Sequence, residues 1–509
     1  RPSVAARIRR HASHLRAVAG RACPMTRNPN LGDMDPAEFR REAHRVADWI
    51  ADYIEDPERY PVLSRVRPGE IAAALPVEAP LDGEPFETIL QDFERVLMPG
   101  ITHWNHPGFF AYFAISGSGP GILAEFLSAA LNVQAMLWRT SPAATELEAV
   151  ALGWLRRLLQ LPDDFEGVIY DTASISTLHA LAAARERCLP SVRAEGMAGR
   201  DVPRMRVYGS DQTHSSIDKA VILLGLGHHA LRKVASDAEF RMRVDALAAA
   251  IAEDRAAGWT PLAVVATVGT TSSTSIDPVQ AIAELCARES IWLHVDAAYA
   301  GVAAMVPGYE WILRGANLAD SLVVNPHKWL FTPFDLSAFY CRHMDQVRAA
   351  FALTPEYLRT VESAPVQNLM DTGIQLGRRF RALKLWMVMR HFGASGLRSR
   401  LAEHMRLARV FAGWIDAAPA FERLAPVPFS VVCFRALPAD PASTGVEIDS
   451  LNEGLLESVN NTGEIFLSHT RLGGRYAIRL AIGNLHTTDV HVARAWTLLQ
   501  QHAETLRRT

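Results

Sequence analysis

The sequence predicts an α/β protein whose centre is a mainly parallel β-sheet. From about residue 119 onward, short apolar runs alternate with helical patterns, as expected for strands that helices cover on both faces of a sheet. Polar residues directly follow several of these runs, and ligands bind at the carboxyl ends of the strands in open α/β sheets. These two observations predict a large ligand-binding domain in the middle of the chain.

Residues 1–33 form a basic extension, for which disorder is one expectation. Between Arg1 and Gly32 there are seven arginines and no acidic residue. This composition is typical of a transit peptide. The alternative is an upstream extension, with Met25 or Met34 as the true start of the protein.

The pattern first becomes helical at "MDPAEFRREAHRVADWIADYIED". Asp35 is the expected N-cap, Pro36 the first helical residue and Glu38 the partner in a capping box. An apolar stripe runs along this helix and consists of Phe39, Ala43, Val46, Ile50 and Ile54. Such a stripe has to be covered, either by the helix's own domain or by a partner subunit.

Helices and strands alternate through the central domain in a regular order. A helix near residues 142–160 precedes the strand "GVIYD", and the helix "ISTLHALAAARER" leads to the strand "MRVYGS". A helix from Ser215 comes next, followed by "PLAVVATVGTT", the helix "DPVQAIAELCARE", "IWLHVDAAYAG" and "SLVVNPHK". After about residue 384, long helical patterns precede "PVPFSVVCFRAL" and "RYAIRLAIG", which predicts a smaller α+β domain.

Composition excludes several classes of function. The formal net charge is −3, which gives no electrostatic basis for binding nucleic acid or an anionic membrane. The five cysteines lie far apart without a C-x-x-C pair, and the histidines near the motifs lack paired ligand spacing. No apolar run approaches the roughly 18 residues that a membrane helix needs. We therefore expect a reduced, cytoplasmic protein without a metal site.

Lys328 is the most informative residue of the central domain. It follows the apolar run Ser321 to Val324 and Pro326, at the point where this strand would leave its sheet. A lysine at such a position is usually solvated and extends its charge into water. If it is partly desolvated, its pKa falls and it becomes the amine that an aldehyde cofactor requires for a Schiff base.

The segment "YDTASIS" predicts a phosphate site. Thr172, Ala173 and Ser174 would lie at a helix N-terminus after a strand, where free N–H groups, hydroxyls and the helix dipole attract an anion. Taken alone, Ser and Thr at this place are more often ordinary N-caps.

Three further residues follow predicted strands. Asp296 either caps a turn or meets a cation, such as a protonated pyridine nitrogen. His214 and Thr271, taken alone, are a structural histidine and a turn residue. Together, however, these features are the components of a pyridoxal phosphate site: a phosphate site, an acid for the pyridine nitrogen, a side chain next to the ring, and the amine of Lys328.

These residues belong to a longer series of ordered motifs. The series comprises "PGITHWNHPGFFAYF", "SPAATELE", "SDQTHSS", "VATVGTT", "IWLHVDAAYAG", "NPHKW", "LTPEYL" and "LGRRFRALKLW". From about Met34 to about residue 500, the chain resembles the group II pyridoxal-phosphate-dependent decarboxylases of fold type I, and most closely the aromatic L-amino acid decarboxylases. The resemblance implies a mainly parallel seven-stranded sheet in the large domain.

The resemblance also implies a role for each residue at the sheet edge. Lys328 would form the Schiff base with pyridoxal 5'-phosphate, and Asp296 would keep the pyridine nitrogen protonated. His214 would stack on one face of the ring, and Ala298 would pack on the other. The other implied cofactor contacts are Thr172, Ala173, Ser174, Thr271, Asn325 and His327.

Tyr357, in "ALTPEYLRTVESAPVQ", decides the product by this resemblance. It would return a proton to Cα of the quinonoid formed when CO₂ leaves, whereas taken alone it is a surface aromatic on a loop. Relatives that lack this tyrosine or the ring-stacking histidine form an aldehyde with oxygen. Because the chain has both Tyr357 and His214, decarboxylation to the arylalkylamine is expected.

The resemblance implies an aromatic substrate. Trp104, Tyr112 and Phe113 match the aromatic wall of the family's pocket, although such residues also pack in cores. Gly377 in "LGRRF" matches a small position that leaves space for a large ring, and Gln134 and Met136 are expected from the partner subunit. Departures from the animal enzymes, which leave tryptophan, tyrosine, phenylalanine and DOPA as alternatives, occur at Ala114, Ile115, Gln134 and Met136.

The implied protein is a cytoplasmic homodimer with active sites at the subunit interface. Residues 34–118 would form a helical dimerisation arm, residues 119–383 the large cofactor domain and residues 384–509 the small C-terminal domain. Three alternatives remain: a decarboxylase of another L-amino acid, an aromatic aldehyde synthase, and a relative that binds the cofactor without turnover.

Overall fold

The structure, a computed structural model, describes residues 32–353 and 366–508. Most of the basic extension and the segment that contains Tyr357 lie outside the described residues. The helices of the described part are α1 (Pro36–Glu55), α2 (Glu70–Ala74), α3 (Phe86–Asp92), α4 (Gly119–Leu131), α5 (Pro142–Leu158), α6 (Ala173–Cys188), α7 (Val192–Glu195), α8 (Ser216–Leu223), α9 (Val244–Ala256), α10 (Val279–Glu289), α11 (Pro326–Trp329), α12 (Met344–Phe351), α13 (Ala382–Ala417), α14 (Gly445–Asn460) and α15 (Asp489–Arg508).

A seven-stranded sheet carries the centre of the fold. The strands are β1 (Glu166–Tyr170), β2 (Arg204–Ser210), β3 (Leu231–Val234), β4 (Trp259–Thr267), β5 (Trp292–Asp296), β6 (Ser321–Val324) and β7 (Ser337–Cys341), in the order β1-β7-β6-β5-β4-β2-β3. The pairs β3 to β2, β2 to β4, β4 to β5 and β5 to β6 are parallel, and β7 is antiparallel to both of its neighbours. The predicted α/β class with a mainly parallel seven-stranded sheet is confirmed.

Helices cover both faces of this sheet. Val264 of β4 belongs to a cluster that includes residues of α9, α10 and α13, whereas its neighbour Val265 packs with residues of α6 and α8. Successive residues of a strand point to opposite faces, so the two clusters are the two layers of the core. Because β5 and β6 are buried along their whole length, a polar side chain at their ends lies at the edge of a dry interior.

A second, antiparallel sheet follows α13. Its strands are β8 (Phe421–Arg423), β9 (Val431–Ala436), β10 (Ser468–Leu472) and β11 (Arg475–Ala481), in the order β10-β11-β9-β8. α14 and α15 pack on it through an apolar cluster that includes Leu455, Ile478 and Leu499. The two apolar runs predicted for the small domain correspond to β9 and β11.

The N-terminal helix begins as predicted at Asp35 and Pro36, but its cap differs in detail. The Asp35 carboxylate accepts the N–H of Ala37, one residue before the N–H of Glu38 that a capping box uses. The described residues up to Asp56 and Pro76–Arg95 form a compact unit of their own. Within the described residues of this unit, Phe39 of the apolar stripe remains 53% exposed.

None of the helices in the described ranges is long and apolar enough to cross a membrane.

Candidate active site

The carboxyl ends of β4, β5 and β6 bring the predicted site residues together. Asp296 is the last residue of β5, and it pairs with Thr267 of β4 and Val323 of β6. α11 follows β6 after Asn325, so that Lys328 lies one turn beyond the same edge. The Asp296 carboxylate is close enough to Lys328 to oppose electrostatically the lowering of its pKa by burial, so the acid and the amine are neighbours at this edge.

Lys328 is largely buried. Burial lowers the pKa of its ammonium group, although the Asp296 carboxylate opposes this shift. Its Nζ lies 5.5 Å from the centroid of the Phe113 ring. A buried amine with a lowered pKa is neutral more often than a solvated lysine, and the neutral amine is the nucleophile for an aldehyde.

Asp296 and Asn325 each present an oxygen atom to the site. Asp296 is 7% exposed and its Oδ1 accepts the N–H of Ala298 at 3.1 Å. Asn325 donates its N–H to the carbonyl of Ala298, whereas its buried Oδ1 has no hydrogen-bond partner in the described chain. Buried oxygen atoms without a donor are rare in folded proteins, so this atom points to a ligand or an ordered water.

The two histidines of the site have defined hydrogen-bonding roles. His214 accepts the N–H of Ser216 at Nδ1, and His327 accepts the N–H of Leu336 at Nδ1. In each neutral ring the proton is therefore on Nε2. Burial lowers the pKa of His327 to about 3, and Lys328 adds to this shift. Desolvation also lowers the pKa of His214, with Asp296 opposing the shift and Lys328 reinforcing it.

The start of α6 is open to an anion. Thr172 is the N-cap, but its hydroxyl donates to the Asp171 carboxylate and caps no helix N–H. Within the described chain, the N–H groups of Ala173 and Ser174 have no hydrogen-bond acceptor. The Thr172 hydroxyl therefore does not act as an ordinary N-cap. The N-terminus of α6 is available to a phosphate.

The turn after β4 is stabilised by the side chain of Thr270, and not by that of Thr271, for which a turn role was one expectation. The Thr270 hydroxyl accepts the N–H of Ser275 and contacts Ser273, and it is fully buried. Thr271 is exposed. Its side chain is therefore free for a ligand at this edge of the sheet.

The predicted aromatic wall consists of two stacks. Phe113 stacks on Tyr299 with ring centroids 3.8 Å apart, and this pair borders Lys328. Trp104 stacks on Phe109 at 4.3 Å and on Tyr112 at 5.8 Å. Phe113 thus lies beside the amine, whereas Trp104 packs in a separate apolar cluster with Phe109.

Arg479 of β11 is a site residue that sequence reasoning missed. It is 4% exposed, and its guanidinium lies 5.3 Å from the centroid of the Phe113 ring. It donates to the carbonyls of Ser272 and Tyr112 and to the hydroxyl of Ser468. Arg479 therefore fixes the wall residue Tyr112 and the loop after Thr271 to the second sheet.

Met136 packs with Leu137 and Met370, and Gly377 lies against Gln134. A Cβ on Gly377 would be 3.2 Å from Nε2 of Gln134, and the Met136 carbonyl accepts the N–H of Met370. Among the described residues, no hydrogen bond or ring contact joins either Met136 or Gly377 to Lys328.

A buried ion pair anchors the backbone beside Gly377. Arg378 donates to the Glu148 carboxylate at 2.6 Å and to the carbonyl of Ile169 in β1 at 3.0 Å. Glu148 also accepts the N–H of Ile169. Both side chains are buried, so each charge depends on the other for compensation.

We expect Arg378→Met to lower the free energy of unfolding by about 3–5 kcal/mol, because it leaves Glu148 buried without a cation. Urea denaturation at one protein concentration measures the change. Arg379→Met is the matched control, since the neighbouring Arg379 pairs with Glu125 at the surface and should contribute no more than about 1 kcal/mol. Equal losses in the two variants would contradict the buried-pair interpretation.

Residues 68–437 match a family model described as the pyridoxal-dependent decarboxylase conserved domain. The chain belongs to this family. Tyrosine decarboxylase 1 of Narcissus pseudonarcissus is 41% identical over 493 residues, which cover 94% of each chain. Phenylacetaldehyde synthase of a Rosa hybrid cultivar is 38% identical over 491 residues, which cover 94% of this chain and 96% of the relative.

A solved structure of the same family gives a similar result. The crystal structure of Catharanthus roseus tryptophan decarboxylase in complex with L-tryptophan has a TM-score of 0.87 and 37% sequence identity, and the match covers 94% of this chain and 100% of that chain. The fold of this pyridoxal-dependent decarboxylase is therefore that of enzymes which act on aromatic amino acids.

The sheet edge fits the family's cofactor, pyridoxal phosphate. Lys328 offers a desolvated amine, and Ala173 and Ser174 offer N–H groups without acceptors in the described chain. Asp296 uses Oδ1 for the backbone, which leaves Oδ2 for a cation, and Asn325 offers an unpaired oxygen. The donor and acceptor set matches an aldehyde, a phosphate and a protonated ring nitrogen.

Proposed function

We propose that this protein converts an aromatic L-amino acid to its arylalkylamine and CO₂ with pyridoxal phosphate as cofactor. The observation that carries the proposal is the meeting of Lys328, Asp296 and Phe113 at one sheet edge, where an amine, a carboxylate and an aromatic face come together. The tyrosine and tryptophan decarboxylases among the relatives support an aromatic substrate.

Lys328 is the amine that bonds to the cofactor aldehyde, and the start of α6 holds the phosphate through Ala173 and Ser174, with Thr172 beside them. Support for this arrangement comes from the lowered pKa of Lys328 and from the free N–H groups at the start of α6. His214 and Ala298 would hold the ring of the cofactor between them. The further ring contacts that we assign are Thr271, Asn325 and His327.

Bound pyridoxal phosphate accepts the electron pair that is released when CO₂ leaves. Asp296 favours this by pairing with the ring nitrogen, since a carboxylate next to a basic nitrogen stabilises its protonated form. Phe113 and Tyr299 shield the amine of Lys328 from water. A dry site strengthens the attraction between Asp296 and the ring nitrogen.

Tyr357 donates the proton that Cα receives after CO₂ has left. The residue lies outside the described residues, and its assignment rests on the match of "LTPEYL" to the family. His214, with its Nε2 proton, is the second group that favours the amine over the aldehyde. The alternative product is an aromatic aldehyde, and the similarity of the chain to phenylacetaldehyde synthase supports this alternative.

We expect Tyr357→Phe to lower amine formation on the order of 10²-fold, because phenylalanine has no proton to donate. The aldehyde should become the larger product, accompanied by ammonia and hydrogen peroxide. Mass spectrometry of both products, with a peroxide assay, measures the ratio. Unchanged amine output would assign the proton donor to another group.

The substrate ring lies against Phe113, with Tyr112 and Trp104 behind it. The two aromatic stacks support this placement. Met136, together with Gln134, reaches the substrate across a dimer interface. Gly377 is the small position that we assign to leave space for a large ring, and this assignment rests on the match of "LGRRF" to the family.

The active protein is a homodimer in the cytoplasm. An apolar face on α4 supports association, since its exposed residues are Leu123, Phe126, Leu127 and Leu131. Residues 34–118 act as the dimerisation arm, 119–383 as the cofactor domain and 384–509 as the small domain. Each of the cysteines in the described ranges is a free thiol, in keeping with a reducing compartment.

A product assay tests the proposed function directly. The purified protein is incubated with pyridoxal phosphate and an equimolar mixture of the common L-amino acids and DOPA, and the products are identified by mass spectrometry. Tryptamine, tyramine, phenethylamine or dopamine is the expected product and identifies the substrate.

Other products would replace the proposal with a specific alternative. Aldehydes with peroxide would indicate an aldehyde synthase, and a non-aromatic amine a different decarboxylase. No product from protein that shows the absorbance of bound cofactor would indicate a relative that binds pyridoxal phosphate without turnover.

A further inference from the structure

A cavity of about 610 Å³ lies between residues 58–65, residues 462–465 and the start of α15. None of the residues assigned to the cofactor or the substrate lines it. Its ionisable lining residues include Glu58, Arg59, Arg65, His106, His491 and Arg494. Charged side chains around a cavity of this size are typical of a site for a small polar ligand.

Two arginines of the cavity are left without a carboxylate. Arg494 forms two hydrogen bonds with Glu464, at 2.7 and 2.8 Å, and is therefore compensated. Arg65 donates to the carbonyl of Thr462, and Arg59 lies over the ring of Tyr60. Among the described residues, neither Arg59 nor Arg65 forms an ion pair with an acidic side chain, so both retain an uncompensated positive charge.

His106 adds a hydrogen-bond donor to this cavity. It is 4% exposed, and its Nδ1 accepts the N–H of Gly108 at 2.9 Å, which places the ring proton on Nε2. In the described chain, no acceptor is paired with that proton. The cavity lining thus contains a neutral N–H donor together with two uncompensated guanidinium groups.

The backbone at the cavity is arranged around these side chains. A Cβ on Gly463 would lie 2.5 Å from Nη2 of Arg65, and Gly463 has a φ of +75°. A Cβ on Gly108 would lie 2.3 Å from the carbonyl oxygen of Glu464 and 3.1 Å from the His106 ring. Two glycines therefore provide the close approach that places Arg65 and His106 at the cavity.

We propose that this cavity binds a small oxyanion, a carboxylate or a phosphate, through the guanidinium groups of Arg59 and Arg65 and the Nε2–H of His106. A guanidinium presents paired N–H groups that match the oxygen atoms of both anions. The carboxylate of Glu464 is compensated by Arg494, and that of Glu58 is hydrogen-bonded to His491.

Binding of simple anions to the full-length protein tests this site. The protein is saturated with pyridoxal phosphate, so that the cofactor's phosphate site is filled, and the total ionic strength is held constant. ³¹P relaxation of inorganic phosphate and ¹³C relaxation of labelled acetate then report binding of each anion separately. Activity is not needed for the readout, so the result is independent of the proposed decarboxylation.

We expect the double variant Arg59→Gln/Arg65→Gln to bind the anion about tenfold or more weakly, since it removes two charge-assisted hydrogen-bond donors. Arg475→Gln is the matched control, because Arg475 is an exposed arginine of β11 outside the cavity. It should bind as the native protein does. If Arg65→Gln prevents folding, Arg59→Gln alone provides the comparison.

The two anions identify the ligand class. Binding of phosphate alone, of acetate alone or of both supports the site, provided that the double variant loses it, and names the preferred oxyanion. The proposal is overturned if neither anion binds, if the double variant binds like the native protein, or if Arg475→Gln weakens binding equally.

Discussion

Lys328→Ala is expected to lower amine formation by on the order of 10³-fold or more. Alanine removes the amine that bonds to the cofactor aldehyde, and no other lysine lies among the residues that we assign to this site. The measurement is the rate of amine formation by mass spectrometry. A second readout is the mass of the peptide around residue 328 after borohydride treatment, which should carry the cofactor only in the native protein.

The control for this variant is Lys233→Ala. Lys233 is on β3 and pairs with Asp218 at 3.2 Å near the surface. Its replacement should leave both the rate and the labelled peptide unchanged. Full activity in Lys328→Ala, with no label at residue 328 of the native protein, would remove the assignment of the amine. Full activity with the label present in the native protein would separate attachment of the cofactor from catalysis.

Asp296→Asn is expected to lower the rate by on the order of 10²- to 10³-fold. An amide cannot balance the charge of a protonated ring nitrogen, so the cofactor becomes a weaker electron acceptor. Asparagine keeps an oxygen that accepts the N–H of Ala298, and the turn after β5 should therefore remain folded. Steady-state kinetics at saturating cofactor measures the effect.

The matched control is Asp211→Asn, since Asp211 follows β2 at the same edge of the sheet but is exposed. Its replacement should retain the native rate. If Asp296→Asn lost no activity, the protonated nitrogen would have to be maintained by another group. If both variants lost activity equally, the loss would reflect any change of charge at this edge of the sheet and not a specific role of Asp296.

Much of this site is predictable from sequence because strand ends are local features. Lys328 and Asp296 each follow an apolar run, and parallel strands place their carboxyl ends together whatever lies between them. The strands β3 and β7 are harder to locate. Arg232 and Lys233 interrupt the apolar character of β3 at the edge of the sheet, and β7 is a five-residue run with no polar site residue after it.

Contacts between distant segments could not be predicted in this way. Glu148 and Arg378 are 230 residues apart, and nothing in either local pattern marks them as partners. Arg479 lies in β11, and the pattern of this strand does not show which residues Arg479 contacts. Burial of an arginine depends on acceptors supplied by other segments, and sequence periodicity carries no information about those acceptors.

Arg479 has a consequence for attempts to change substrate preference by exchanging segments between relatives. It holds the carbonyl of Tyr112, and Ser468 beside it accepts the N–H of the same residue. A chimera that takes only residues 104–113 from a relative would pack the relative's aromatic residues against this protein's own residues 468–479. A chimera that takes both segments from the relative would keep their contacts together. Recombination boundaries that separate these two segments should therefore yield poorly active hybrids, even when each parent contributes a complete pocket.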